Sequence, residues 1–125
     1  MDECSIARLH IAKEFEECRK AIIAIGDETR QSIIITLLQN ESVGMRVGEI
    51  TNKTHLSRPA VSHHLQILKD AKIIAMRRKG TMNYYYMNAN ETEWNKLARL
   101  VNHINEVIQR ASAADYPSSQ LGCEE

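Results

Sequence analysis

The chain of 125 residues carries 16 Lys/Arg and 16 Asp/Glu, so its formal net charge is zero at pH 7. This length favours a single domain with its own hydrophobic core. Its apolar runs are only a few residues long and none follows a basic stretch at the start, so we expect neither a membrane span nor a signal peptide and predict a cytoplasmic protein.

The first forty residues predict two helices. Apolar residues recur at helical spacing over residues 6–25, and Gly26 ends this first helix. Asp27 is a good N-cap for a second helix, with Glu28 in its first turn. We expect the second helix to bury four residues on its inner face: Ile33, Ile34, Leu37 and Leu38.

The middle of the chain predicts a helix, a tight turn and another helix. The first of these covers about residues 47–53, and the turn lies at residues 54–56. Ser57 is a strong N-cap for the next helix, and Pro59 falls in its first turn, where the missing N–H costs little. That helix runs to about Asp70. The residues expected to face the core are Val47, Ile50, Val61, Leu65 and Leu68.

A β-hairpin is predicted next, with strands at residues 73–78 and 83–87. Gly80 supplies the positive φ that the tight turn between them needs. The three tyrosines at residues 84–86 suggest stacking on single-stranded bases. Because strand residues alternate between faces, we favour tyrosines that pack under the hairpin and face outward in turn.

The last predicted helix starts near Glu91, with Asn90 or Thr92 as its cap. Its apolar residues form a narrow stripe over about five turns, which is typical of a seam between two helices. The stripe comprises Trp94, Leu97, Val101, Ile104, Val107, Ile108 and Ala111. Residues 115–125 contain Pro, Ser and Gly, and we expect them to form a flexible tail.

The basic charge is concentrated in the middle of the chain. Residues 46–80 carry eight Lys/Arg and two acids, a net charge of +6, whereas residues 1–45 and 91–125 each carry −3. A local basic region of this kind is typical of nucleic-acid binding. Two helices joined by a tight turn and followed by a basic hairpin predict a winged helix-turn-helix, which places its second helix in the major groove of DNA.

Three segments resemble the ArsR/SmtB family of repressors. Residues 25–30 (IGDETR) are similar to the family's opening LADxTR, and residues 56–65 (LSRPAVSHHL) to its recognition helix. The hairpin that ends with the tyrosines at 84–86 resembles the family's wing, and the similarity covers about residues 15–110. It implies a mainly α fold of about five helices plus a two-stranded wing, in a homodimeric DNA-binding repressor.

The resemblance also implies how the chain is divided. Residues 1–114 are expected to form one winged helix-turn-helix domain, with a DNA-reading part at about 47–88. The helices at about 6–25 and 91–113 are expected to form the subunit interface. The residues assigned to that interface are Phe15, Ile22, Trp94, Leu97, Val101, Ile104 and Ile108.

The exposed side of the recognition helix holds the expected base-reading residues Arg58, Ser62, His63 and Gln66. Arg pairs with guanine and Gln with adenine, while Ser and His are versatile. Arg58 stands where the family commonly has Gln, so the base that it reads is expected to differ. Contacts to phosphates are expected from Lys53, Lys69, Arg77, Arg78 and Lys79, because long cationic side chains supply charge with little sequence information, and also from Thr81 of the hairpin.

The metal sites of the family are incomplete in this chain. Arg46-Val47-Gly48 stands where a thiolate pair occurs in some members, and Asn90 and Thr92 stand where the zinc sensors have Asp and His. His103 and Glu106 fit only the other half of that zinc site, so a polar pair beside the dimer seam is favoured over a metal site. His63 and His64 are adjacent and point in different directions on a helix, so we do not expect them to share a metal.

The three cysteines Cys4, Cys18 and Cys123 lack CxxC spacing, so we expect reduced thiols. Sensing of a metalloid or an oxidant through Cys4 and Cys18 is the weaker alternative to simple packing of Cys18.

The sequence therefore predicts a bacterial-type transcriptional regulator that binds double-stranded DNA at an inverted repeat, without a cofactor. The alternative is a winged-helix module that binds another protein. An enzyme is not expected, since no nucleophile–base set, phosphate loop or carboxylate pair is present. The inducer, whether a small molecule, a metal or a redox signal, is left open.

Overall fold

The computed structural model describes residues 2–40, 43–89 and 92–113. Within them the chain forms six helices and a two-stranded antiparallel hairpin, which confirms the predicted winged-helix fold class. The elements are α1 (Glu3–Glu17), α2 (Arg19–Ile25), α3 (Glu28–Gln39), α4 (Val47–Thr54), α5 (Arg58–Asp70), β1 (Ile74–Lys79), β2 (Met82–Met87) and α6 (Thr92–Ala113). No helix among the described residues is long and apolar enough to cross a membrane.

The predicted first helix is two helices, so the prediction of one continuous helix over residues 6–25 was wrong. Cys18 separates α1 from α2 with φ −92° and ψ 0°. Its N–H is shared between the carbonyl oxygens of Glu14 (3.0 Å) and Phe15 (3.2 Å), which tightens the last turn of α1. The apolar spacing continues through this turn, so the end of one helix and the start of the next leave no mark on such a pattern.

The described residues fall into two compact units. One unit comprises residues 20–94, and the other joins the residues up to Arg19 with those from Asn95 onward. The first of these contains the helix-turn-helix and the hairpin. The other contains α1 and most of α6, the elements that the sequence assigns to dimerisation.

Helices α3, α4 and α5 pack against one another and against the hairpin, which forms the core of the unit at residues 20–94. The fully buried side chains are Ile33, Ile50, Val61, Leu65, Leu68, Ile73 and Ile74. Of the four residues expected to be buried on α3, Leu38 is 65% exposed, so its assignment to the core was wrong. Val47, likewise expected to face the core, is only partly buried.

Local side-chain bonds start the helices at the predicted places. The Asp27 carboxylate accepts a hydrogen bond from the Arg30 N–H (3.0 Å) at the start of α3, and the Ser57 hydroxyl accepts one from the Ala60 N–H (3.2 Å) at the start of α5. These bonds satisfy N–H groups that have no partner within the helix. Pro in the first turn of α5 adds a φ already suited to the helix.

The hairpin pairs Ile74 with Met87 at one end and Lys79 with Met82 at the other. Gly80 has φ 65° in the turn, as predicted. Met45, in the segment before α4, exchanges two backbone hydrogen bonds of 2.9 and 2.8 Å with Tyr85. Gly44 precedes it with φ 153°, and a Cβ atom there would lie 3.1 Å from that of Tyr84, so glycine is required for this close approach.

Two leucine substitutions test this assignment of the core. We expect Leu65→Ala to lower the free energy of unfolding by about 2–5 kcal/mol, because a fully buried leucine leaves a cavity. The matched change Leu38→Ala removes the same atoms from an exposed position and should cost less than about 1 kcal/mol. Urea denaturation followed by circular dichroism measures both. Equal losses of stability for the two variants would contradict this pattern of burial.

Candidate nucleic-acid interface

Helix α5 presents a polar face to solvent opposite its buried one. Ser62, His63 and Gln66 are exposed, and Lys69 near the end of the helix is partly exposed. The three predicted base-reading residues of this face therefore share one surface. In the free protein Gln66 Nε2 donates to Asp70 Oδ1 over 2.8 Å, which holds the amide one turn along the helix. Reading an adenine edge would require Gln66 to exchange this bond.

The fourth predicted base-reading residue, Arg58, is exposed at the start of α5, and its side chain reaches toward α4. Its Nη1 is 3.4 Å from the place where a Gly48 Cβ would sit, so the guanidinium extends over the start of α4. Arg58 and Arg46 line an open groove of about 610 Å³ between α4 and the hairpin turn. Thr81, expected to contact phosphate, lines the same groove. Arg46, Arg58 and the turn of the hairpin therefore lie around one groove beside the start of α5.

The basic residues of the wing differ in how they are held. Arg77 lies over the Tyr86 ring, with its guanidinium carbon 5.8 Å from the ring centre, and Arg78 Nε donates to the Gly80 carbonyl oxygen (3.2 Å). Lys79 at the tip is exposed, as is Lys53 on α4. The hairpin thus holds two arginines in defined positions and presents a lysine at its end.

Arg30 links three elements, and sequence reasoning did not single it out. Its Nε donates to the Ala24 carbonyl oxygen (2.7 Å), and its Nη2 donates to that of Ile23 (3.3 Å) at the end of α2. Its Nη1 bonds to His64 Nδ1 on α5 over 3.2 Å. The sequence feature that could have indicated Arg30 is the segment IGDETR, in which Arg30 follows the N-cap Asp27 by three residues. The backbone N–H of Arg30 lowers the pKa of Asp27 below its usual 3.8.

The unit that contains α1 and α6 exposes several of its apolar residues. Phe15, Val101 and Ile108, all assigned to the subunit interface, are 46%, 63% and 40% exposed. Ile6 and Leu9 on α1 are exposed as well. Leu97 and Leu100 are buried, although Leu100 was not part of the predicted stripe. In the other unit, Ile22 and Trp94 are partly buried, and the Trp94 indole N–H donates to the Ile73 carbonyl oxygen (3.0 Å).

His103 is paired with a carboxylate from the first helix. Its Nδ1 lies 2.7 Å from Glu14 Oε1, a contact that the sequence did not indicate because 89 residues separate the two. Glu106 is exposed. Among the side chains that the structure describes, no group of three or more His, Cys, Asp or Glu is arranged to hold a metal ion. Asn90 and Glu91 lie outside the described residues.

The cysteines occupy different environments. Cys18 is a reduced cysteine and only 3% exposed, which fits packing as a small apolar residue. Cys4 is disulfide-bonded, so the expectation of reduced thiols was wrong for that residue. Cys123 lies outside the described residues, as does the predicted tail at residues 115–125.

A recognition helix with a buried apolar face, an exposed polar face and an adjoining basic hairpin defines the class of winged helix-turn-helix DNA-binding proteins. Residues 27–75 match the family model for the bacterial regulatory protein, arsR family. The chain belongs to this family. It is therefore a DNA-binding transcriptional regulator and not an enzyme.

Three similar proteins illustrate the relationship. The transcriptional repressor SdpR of Bacillus subtilis is 36% identical over 83 residues, which span 66% of this chain and 88% of SdpR. An HTH-type transcriptional regulator of Methanocaldococcus jannaschii is 39% identical over 75 residues, 60% of this chain and 82% of its own. The structure of an ArsR-like transcriptional regulator from Rhodococcus sp. RHA1 matches with a TM-score of 0.72 and 24% identity, covering 82% of this chain and 90% of that one, which supports the fold alone.

The lowered pKa of Asp27 predicts a pH-dependent contribution to stability. The ionised carboxylate is the better cap, so its contribution is present above the usual pKa of 3.8 and is lost as the pH falls through the lowered value. We expect Asp27→Asn, a cap that does not titrate, to unfold at a lower temperature than the unaltered protein at pH 6. The difference should shrink as the pH falls below the usual pKa. Thermal unfolding of both proteins measures it, and a difference independent of pH would contradict the prediction.

Proposed function

We propose that this protein is a homodimeric transcriptional repressor of the cytoplasm that binds an inverted-repeat DNA operator through helix α5. The observation that carries the proposal is the exposed polar face of α5, flanked by a basic wing, in a member of a family of transcriptional regulators. A helix of this kind enters the major groove, where base edges form a distinct pattern for each base pair.

The residues near α5 are proposed to divide the work between bases and backbone. Ser62, His63, Gln66 and Arg58 read bases. Of these, Arg58 has its guanidinium over the start of α4 in the free protein and would turn toward the major groove of the DNA. Lys53, Lys69, Arg77, Arg78, Lys79 and Thr81 contact phosphates and sugars, which fix the orientation of the protein on the duplex.

The dimer is proposed from the apolar residues that α1 and α6 leave exposed. Phe15, Val101 and Ile108 would be removed from water if a second copy covered them, and burial of apolar surface drives most protein association. A twofold axis would then place two copies of α5 about 34–36 Å apart, one turn of B-DNA. Twofold symmetry in the protein requires an inverted repeat in the DNA.

Repression is favoured over activation on two grounds. SdpR, which this chain covers almost completely, is named a transcriptional repressor. A dimer seated on a promoter also blocks access by occupying the duplex, which requires no further surface on the protein. A reporter gene behind the protein's own promoter tests the sign, since repression predicts higher expression when the protein is removed.

Fluorescence anisotropy with a labelled duplex from that promoter tests DNA binding itself. We expect two chains per site and a Kd that rises steeply with salt, by about 1,000-fold or more between 50 and 200 mM, because several phosphate contacts release counterions. The same measurement on a random duplex gives the non-specific Kd. A promoter Kd that is flat in salt, or a single chain per site, would contradict the proposal. Failure to bind any duplex at low salt would favour the alternative of a protein-binding module.

Single substitutions distinguish base readers from phosphate contacts. We expect His63→Ala or Arg58→Ala to reduce discrimination between operator and random DNA by about 1–3 kcal/mol for each base that is no longer read. Lys79→Ala is the matched control, because removing a cation that pairs with phosphate should weaken both duplexes alike and make the salt dependence shallower. Equal weakening on both duplexes for Arg58→Ala would show that it contacts backbone and does not read bases.

A further inference from the structure

The guanidinium of Arg30 bonds to the recognition helix at the boundary between its buried face and its exposed polar face. On one side it donates to the carbonyl oxygens of Ala24 (2.7 Å) and Ile23 (3.3 Å) in the last turn of α2. On the other side it bonds to His64 Nδ1 in the middle of α5 (3.2 Å). One planar, rigid fork therefore connects the end of α2, the start of α3 and the recognition helix.

His64 occupies the boundary between the two faces of α5. It is partly buried, whereas Leu65 beside it is fully buried and His63 is exposed on the polar face. The rings of His63 and His64 lie edge to face, with their centres 5.4 Å apart. Because Arg30 has no acceptor, the Nδ1 of His64 must be unprotonated to take part in the bond.

We propose that Arg30 is a positioning residue for operator recognition, which acts by fixing His64 and through it the rotation of α5. The inference rests on the proposed function, since it explains how that helix is aimed at DNA. Neither Arg30 nor His64 needs to touch the duplex. With the rotation of α5 fixed, the side chains on its exposed face are aligned with the base edges in the major groove.

The physical reason lies in the difference between apolar and polar contacts. Val61, Leu65 and Leu68 hold α5 in place by burial, which has no preferred direction and tolerates small rotations of the helix. Hydrogen bonds to base edges weaken steeply when donor and acceptor are misaligned. The hydrogen bond from the Arg30 guanidinium to His64 Nδ1 is directional, so it fixes the rotation of α5 that burial leaves free. Attraction between lysines and phosphates tolerates a small rotation of α5. Random DNA should therefore be bound almost equally well when the bond between Arg30 and His64 is absent.

Substitutions of His64 separate the hydrogen bond from the bulk of the side chain. In His64→Asn the amide oxygen takes approximately the place of Nδ1 and can accept from Arg30, whereas His64→Leu has no acceptor. We expect His64→Leu to raise the Kd for operator DNA by about 10-fold, the effect typical of losing a hydrogen bond to a charged group, and the Kd for random DNA by less than about 2-fold. His64→Asn should restore operator binding to within about 3-fold.

Arg30→Lys and Gln31→Ala provide the matched pair on α3. Lysine keeps the charge but lacks the fork, so it should behave like His64→Leu. Gln31 Nε2 donates to the Ile25 carbonyl oxygen (2.8 Å), which ties α3 to α2 without reaching α5. Gln31→Ala should therefore leave the ratio of random to operator Kd unchanged. Nitrogen-15 NMR of the imidazoles provides a direct readout, since His64 should have its proton on Nε2 in the unaltered protein.

The outcomes separate this inference from the proposed function. Equal operator binding by His64→Leu and His64→Asn, or an unchanged ratio in Arg30→Lys, overturns the role of Arg30 while leaving DNA binding intact. Failure of the unaltered protein to bind any duplex overturns the proposed function, and the inference with it. Thermal unfolding identifies variants that do not fold. If His64→Leu is among them, the comparison of Arg30→Lys with Gln31→Ala decides.

Discussion

The complete burial of one side of helix α5 is the constraint on which the rest of the site depends. Val61, Leu65 and Leu68 are each inaccessible to solvent, and they lie three and four residues apart along one side of the helix. With that side committed to the core, Ser62, His63 and Gln66 have no position except outward. The same packing brings α3, α4 and the hairpin against α5. The burial that stabilises this unit therefore also selects the side chains that α5 presents to solvent.

The distribution of charge along the chain is the second property that defines the candidate interface. The chain is neutral as a whole, yet its basic residues cluster on α4, α5 and the wing. Arg77 and Arg78 are held by an aromatic ring and a carbonyl oxygen of the hairpin, so they would lose little conformational freedom in the proposed contacts with phosphates. The acidic ends of the chain cancel its total charge but not the local charge of this segment. The net positive charge is therefore concentrated in one segment of the chain.

Features set by neighbouring residues could be predicted from the sequence. The caps at Asp27 and Ser57 and the turn at Gly80 depend on chemistry within a few residues, and the structure has them at the predicted positions. The break at Cys18 could not be seen, because apolar spacing is the same before and after it. Leu38 was misassigned because it extends a plausible apolar stripe, and only the packed neighbours show how wide the buried stripe is.

Contacts between residues far apart in the sequence could not be predicted from local sequence patterns. Arg30 and His64 are 34 residues apart, and Glu14 and His103 are 89 residues apart. Each pair depends on how helices are arranged in space, about which local spacing contains no information. The bond between Gln66 and Asp70 is different, since residues four apart on a helix are neighbours and this contact was open to prediction.

The bonds between Met45 and Tyr85 affect how the hairpin meets other molecules. A two-stranded ribbon has two open edges, and each is a template for pairing with a foreign strand. Met45 pairs with part of the outer edge of β2, and among the described residues no strand or bridge pairs with the outer edge of β1. That strand ends in Arg77, Arg78 and Lys79, and a run of like charges repels a second copy of itself. The cations proposed to contact phosphates would thus also protect the hairpin against aggregation.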